Sequence, residues 1–297
     1  MKRYFPRSVC ILLGCAILFF AAYRALSSHA LGVGALFCAW AFFFLAALRI
    51  VNRIANLSSG SLSQWIHWIH AMVFEVFAVL AVFFVRQLRF IRTSKEERGN
   101  GIPILLVHGY LHDRSAWIYH KKKLLLHGFG PVYTISLGYP FLSIMEYVKI
   151  IEQKALQIEK ETGRKELILI GHSMGGLISS LYATKFAPSG KVTDVITIGS
   201  PLAGTPVAKI AIGPDAREME KGSELVKGLQ EAVRSAKGIR FYHIATKTDQ
   251  LVVPYTSAII EGRPERQLIL EDVGHASLLY SPRVSEKILF WLKRPNG

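Results

Sequence analysis

The sequence predicts an α/β domain with a mostly parallel sheet over residues 101–297, preceded by two or three apolar helices. Three observations carry this reading. Six short apolar runs alternate with helical stretches beyond Gly101, the pattern of parallel strands joined by crossover helices. Composition changes near residue 98, where eleven Lys/Arg and three Asp/Glu among long apolar runs give way to 25 basic and 18 acidic residues in mixed order. Finally, one apolar run passes straight into a helical stretch through Gly171-His172-Ser173-Met174-Gly175.

Residues 1–85 form the apolar region, with candidate membrane spans at about 8–26, 30–48 and 65–85. The middle one holds nineteen uncharged residues, close to the ~20 needed to cross the hydrocarbon layer. The first follows Lys2, Arg3 and Arg7 as a signal peptide would, but it lacks a small-x-small cleavage site and a second apolar run follows at once. An uncleaved helical hairpin fits better. The third begins Trp65, Ile66, His67, Trp68, like an interfacial aromatic belt, and carries Glu75 in its middle. An acid inside a span faces a protein interior and has a partner or a function. His67 and Glu75 are eight residues apart, on roughly one helix face. The alternative is a helix lying on the membrane surface with Glu75 turned to water. Three full spans would place the α/β domain outside, against the positive charge of Arg86, Arg89 and Arg92; two spans and a surface helix would place it in the cytoplasm. Residues 86–100 read as a basic linker.

The formal net charge of +15 and pI near 9.8 suit either anionic lipid or nothing specific. No nucleic-acid module accompanies them, so nucleic acid is not an expected partner. The run Lys121, Lys122, Lys123 is short enough to be a solvated face. All three cysteines, Cys10, Cys15 and Cys38, lie in the apolar region, so the α/β domain has no disulfide framework. Oligomeric state leaves no signature.

Strands are expected at 102–107, 131–136, 166–171, 193–198, 239–245 and 267–271, and helices at about 143–161, 175–187 and 283–293. The near-continuous apolar character of several strands implies burial on both faces. In the segment 171–175 a Ser stands between a strand and a helix, in G-x-S-x-G. A turn this tight strains the Ser backbone, and Gly171 and Gly175 are small because side chains there would clash. The turn lifts the Ser173 hydroxyl above the carboxyl ends of the strands, at a helix N-terminus that favours a developing oxyanion. Ser173 is therefore the candidate nucleophile.

On these residues the stretch 102–293 resembles bacterial triacylglycerol lipases and related esterases of the α/β-hydrolase superfamily. That resemblance implies a chain order of nucleophile, acid, histidine. Strand 102–107 ends in His108-Gly109-Tyr110, so the resemblance assigns the oxyanion hole to the backbone amides of Tyr110 and Met174. It places the acid just past strand 239–245, at Asp249, with Asp194 as the competing choice inside a strand and Asp272 too close to the histidine. The histidine is His275, in the loop after the last strand, while His172 is expected to pack on the elbow and His108 to support the oxyanion loop. About 206–238 is rich in helix formers, and the resemblance makes it a cap whose apolar face meets lipid; a plain crossover helix is the alternative.

The implied activity is a serine carboxylester hydrolase, lipase- or esterase-like, held at a membrane and cleaving acyl esters of lipids. A lipid acyltransferase or lipid-modifying deacylase would use the same Ser173, Asp249, His275 triad, and a non-catalytic membrane binding protein could share the scaffold. No metal-ligand cluster and no phosphate-cradling loop is visible, so no metal or cofactor is implied. The expected location is a bacterial inner membrane, entered more than once, with the side of the domain left open.

Overall fold

Strand β1 (Ile104–Val107) begins a six-stranded, fully parallel sheet whose order is β2-β1-β3-β4-β5-β6. The others are β2 (Val132–Ile135), β3 (Leu167–His172), β4 (Val192–Ile198), β5 (Arg240–Thr246) and β6 (Gln267–Leu270). The computed structural model describes residues 101–260 and 264–293, together with helical residues 70, 71, 73–75, 77 and 78. All of them belong to one compact unit, Ser61–Gly297. The expected spans at 8–26 and 30–48, the belt residues 65–68 including His67, and the linker 86–100 lie outside the described residues. Among those described, no helix is long and apolar enough to cross a membrane.

Alternate strand residues serve opposite faces, as the two-residue period of a strand requires. Leu105, Val107, Leu169, Val195 and Phe241 pack with Val148, Ile151, Leu177, Ile178, Val226 and Leu229. Those partners come from α2 (Ile144–Thr162), α3 (Met174–Leu181) and α5 (Glu224–Ser235). Ile104, Leu106, Ile170, Ile196, Ile198 and Ile244 face the other way, onto Leu124 of α1 (Ile118–Leu126) and Val284, Ile288 and Trp291 of α6 (Pro282–Leu292). Burial on both faces explains the unbroken apolar runs. Each fully covered Leu or Ile contributes roughly 1.5–3 kcal/mol.

Local signals account for the helix ends. Ser143 caps α2 by accepting from the Glu146 amide, and the Glu146 side chain accepts in return from the Ser143 amide. Gly163 closes the same helix in the left-handed conformation, at φ 69°.

Two expectations change. The lysine run is the middle third of α1, and Lys121 is buried rather than part of a solvated face; a long stem can lie along apolar surface with its charged end elsewhere satisfied. The segment 206–238 divides. Its amphipathic part, α5, buries Val226, Leu229 and Val233 in the sheet core and is the crossover between β4 and β5. The 3-10 turn Pro206–Ile210 and the short α4 (Pro214–Glu218) precede it in the same connection. An amphipathic pattern specifies an apolar face without specifying which surface it covers.

The strand order reverses between β1 and β3, because β2 pairs on the far side of β1. The crevice outside the carboxyl ends of such neighbouring strands is where open α/β sheets place their sites.

Candidate active site

Ser173 occupies that crevice as the residue between β3 and α3, with φ 55° and ψ −128°. A non-glycine residue in this region costs on the order of 1–3 kcal/mol, and it persists only where its surroundings hold it. The Ser173 amide donates to the Ile198 carbonyl at 2.9 Å, pinning the turn to the end of β4. A Cβ at Gly175 would overlap the carbonyl oxygens of Val107 and His108, and one at Gly171 would overlap the backbone of Gly175 and Gly176. The helix thus starts hard against β1, and Ser173 itself is half-buried.

The loop after β1 lies directly over this turn. A Cβ added to Gly109 would stand 2.8 Å from Ser173 Cβ, so only a glycine fits. His108 holds the loop: its Nε2 accepts from the Leu137 amide at 3.0 Å, and its Nδ1–H donates to the Gly109 carbonyl at 2.9 Å. Tyr110 follows at once. Met174 is the first residue of α3, where backbone amides have no acceptor within the helix. The Tyr110 hydroxyl donates to the Ile212 carbonyl at 2.7 Å and accepts from the Ile212 amide at 3.3 Å, tying the segment before α4 to this loop.

Asp249 and His275 meet. Asp249 Oδ2 accepts from His275 Nδ1–H at 2.9 Å, and both residues are buried. Asp249 Oδ1 is occupied by the amides of Leu251 and Val252, each at 2.8 Å, which aims the other oxygen at the ring. Asp194 is excluded from this role: Arg240 grips it through Nε at 2.7 Å and Nη2 at 2.9 Å within the sheet. Asp272 pairs with Arg283 instead.

The backbone of His275 is fixed from two sides. Gln250 Oε1 accepts from its amide at 3.1 Å, and its carbonyl accepts from His172 Nε2–H at 3.1 Å. The His172 and His275 rings lie 4.7 Å apart, which places His275 beside the residue preceding Ser173. No hydrogen bond joins Ser173 Oγ to His275 among the described residues; such contacts often close only when substrate is bound. Two supporting residues carried no sequence signal: Gln250, and His120, whose Nε2–H donates to the Leu278 carbonyl at 3.0 Å. Glu75, which the sequence did mark as an acid in an apolar run, also supports this loop, and its position is taken up below. Among the described residues, no group of three or more His, Cys, Asp or Glu side chains is placed to hold a metal ion.

Burial disfavours protonation of His275, but the Asp249 carboxylate, through its charge and its hydrogen bond, outweighs this and raises the pKa above the ordinary value. If His275 serves as base for Ser173, only its neutral ring can accept the proton, so lowering pH removes the competent form. The kcat/KM for a short soluble ester should therefore fall on the acid side with a midpoint above the usual ~6.5. A midpoint below 6 in a pH–rate profile would contradict it. His172 moves the other way: burial first, then the neighbouring His275 and His112, hold it well below the ordinary value, so it stays neutral.

This architecture, with a strained serine elbow at the switch point of a six-stranded parallel sheet, is the α/β-hydrolase fold. Residues 135–264, which include the elbow and Asp249, match the family described as the PGAP1-like alpha/beta domain. A Listeria innocua gene product of known structure is 16% identical, with a TM-score of 0.51 over 66% of this chain and 95% of its own. The mature lipase BlEst2 of Bacillus licheniformis is 16% identical, with a TM-score of 0.53 over 67% of this chain and 95% of its own. A bromoperoxidase from Bacillus anthracis is equally similar in fold, at 15% identity and TM-score 0.53 over 66% of this chain and 94% of its own. A lipase and a bromoperoxidase at the same distance mean that the likeness speaks to fold, and that function must be argued from the site.

Proposed function

We propose that the protein is a membrane-held serine hydrolase that cleaves acyl esters of lipids through an acyl-enzyme on Ser173. The observation that carries this reading is the buried Asp249–His275 pair beside a strained serine elbow. His275 takes the hydroxyl proton as Ser173 Oγ attacks the ester carbonyl, and Asp249 holds the ring in the tautomer with Nε2 unprotonated. The oxygen of the tetrahedral intermediate is received by the amides of Tyr110 and Met174; each such donor is worth about 10²–10³ in rate. The intermediate collapses, its C–O bond breaks, and His275 returns the proton to the departing alcohol. Water, deprotonated by His275, then releases the fatty acid and restores Ser173.

An apolar mouth supports a lipid substrate. Leu111, Tyr139, Phe141, Ile210 and Ile212 are exposed on the loops after β1, β2 and β4, around the end of the sheet that carries Ser173. The apolar runs at 8–26 and 30–48 are the basis for holding the domain at a bilayer.

The test is to incubate lipid extracts with wild type and with Ser173→Ala and compare lipid classes. One class of acyl ester should fall with release of free fatty acid, in wild type only. Transfer of the acyl group to another alcohol would make the protein an acyltransferase, and identical profiles would remove the lipid-ester reading.

A further inference from the structure

Glu75 belongs to the apolar stretch before the α/β domain, yet it is 2% exposed and lies against the loop that carries His275. Its Oε1 accepts from the Ala276 amide at 2.6 Å, and its Oε2 accepts from the Ser277 amide at 2.9 Å and the Ser277 hydroxyl at 2.7 Å. These are the first residues of the 3-10 turn Ala276–Tyr280, whose leading residue, His275, provides no side-chain cap. Buried amides need acceptors, and here the acceptor arrives from some 200 residues away in sequence. Gly274 fits the same arrangement: a Cβ there would overlap Glu75 Oε2, so the chain before His275 runs against the carboxylate as closely as backbone allows. One turn earlier on the same helix, His70 Nδ1–H donates to the Asp272 carbonyl at 3.3 Å. The helix therefore grips the loop on both sides of His275.

We propose that Glu75 is a positioning residue for His275, so that the helix around it, from the apolar segment, forms part of the hydrolytic site. The inference rests on the hydrolase reading above. Asp249 sets the ring, and Gln250 and His172 set the amide and carbonyl of residue 275. Glu75 fixes Ala276 and Ser277, the two residues that follow. Two backbone amides and one hydroxyl all donate to this single carboxyl group, which suits a fixed anchor. A displacement of ~1 Å in a reacting group costs on the order of 10²-fold in rate, so loosening this anchor acts on turnover more than on substrate binding. The arrangement also sets a limit on truncation. About 200 residues are ample for a core, but a domain begun at residue 101 would leave the Ala276 and Ser277 amides without their acceptor.

Glu75→Gln is informative because it keeps the shape but turns an NH2 group, itself a donor, toward amide and hydroxyl donors. In full-length protein in detergent micelles, two measurements are made: fluorophosphonate labelling of Ser173 with kcat and KM for a short ester, and hydrogen exchange of the peptide 273–280. Glu75→Gln should lower kcat and the labelling rate by about 10–10²-fold with KM within about twofold, and should speed exchange in that peptide. Ser277→Ala, which removes one of three bonds, should show a smaller loss in the same direction. Unchanged kcat and labelling in Glu75→Gln would overturn the proposal, even with faster exchange, because the contact would then be structural only. If Glu75→Gln fails to fold, Ser277→Ala decides: labelling and exchange equal to wild type would overturn it. If wild type itself neither labels nor turns over ester, the hydrolase reading fails. Exchange in the variants then decides whether Glu75 holds the loop, and unchanged exchange overturns that too.

Discussion

His275→Ala is expected to lower kcat by about 10⁶-fold, with Ser173→Ala losing as much and the double variant losing no more, because nucleophile and base act as one unit. The size of the loss depends on whether another base can substitute. His172 is the nearest ring, at 4.7 Å from His275, but its Nε2–H is committed to the His275 carbonyl and burial holds its pKa well below the ordinary value. Its other nitrogen, Nδ1, is buried without a hydrogen-bond partner among the described residues, and a Cβ at Gly109 would lie 3.4 Å from it, so it faces the oxyanion loop and not open solvent. No rescue by His172 is expected. Single-turnover release of nitrophenol from a short ester checks this, and a His275→Ala protein within about tenfold of wild type would reassign the base.

Asp249→Asn is expected to lower kcat by about 10⁴-fold while leaving the fold intact. The reason lies in the other carboxylate oxygen. Asp249 Oδ1 accepts two backbone amides, from Leu251 and Val252, each at 2.8 Å. In an asparagine only the carbonyl oxygen can accept, so those amides would hold it in the Oδ1 position and turn the NH2 group toward His275. The imidazole would then present Nδ1 as an acceptor and carry its proton on Nε2, the tautomer that cannot take a proton from Ser173. Unchanged thermal unfolding with lost turnover is the expected pair of results. Full activity would move the acid elsewhere, although Arg240 and Arg283 already occupy Asp194 and Asp272.

The regular part of the fold was legible because it depends on local pattern. The six strands lie within one or two residues of the apolar runs, since a strand buried on both faces leaves little room for polar residues. The elbow was legible because Gly171 and Gly175 are demanded by backbone overlap, which a sequence can display. Asp249 and His275 followed from their places after β5 and β6 in the order that the resemblance implies. What depends on long-range approach was not legible. Helix α1 was hidden because its lysine run reads as solvated surface, whereas its buried face is built from residues such as His120 and Leu124. The destination of α5 needed the sheet to be in place. Glu75 advertised itself as an acid in an apolar stretch that required a partner. That partner is a pair of backbone amides and a serine hydroxyl in the His275 loop, and backbone amides have no sequence signature.

The most direct measurement of the central claim is covalent labelling of the folded, full-length protein with a fluorophosphonate, located by mass spectrometry. Such reagents bond to a serine only where a neighbouring base activates it and an oxyanion site receives the phosphonyl oxygen. The expected result is one label per chain on Ser173, lost in Ser173→Ala and strongly slowed in His275→Ala. Absence of labelling in folded wild type, or equal labelling of Ser173→Ala, would contradict the assignment of Ser173 as the nucleophile.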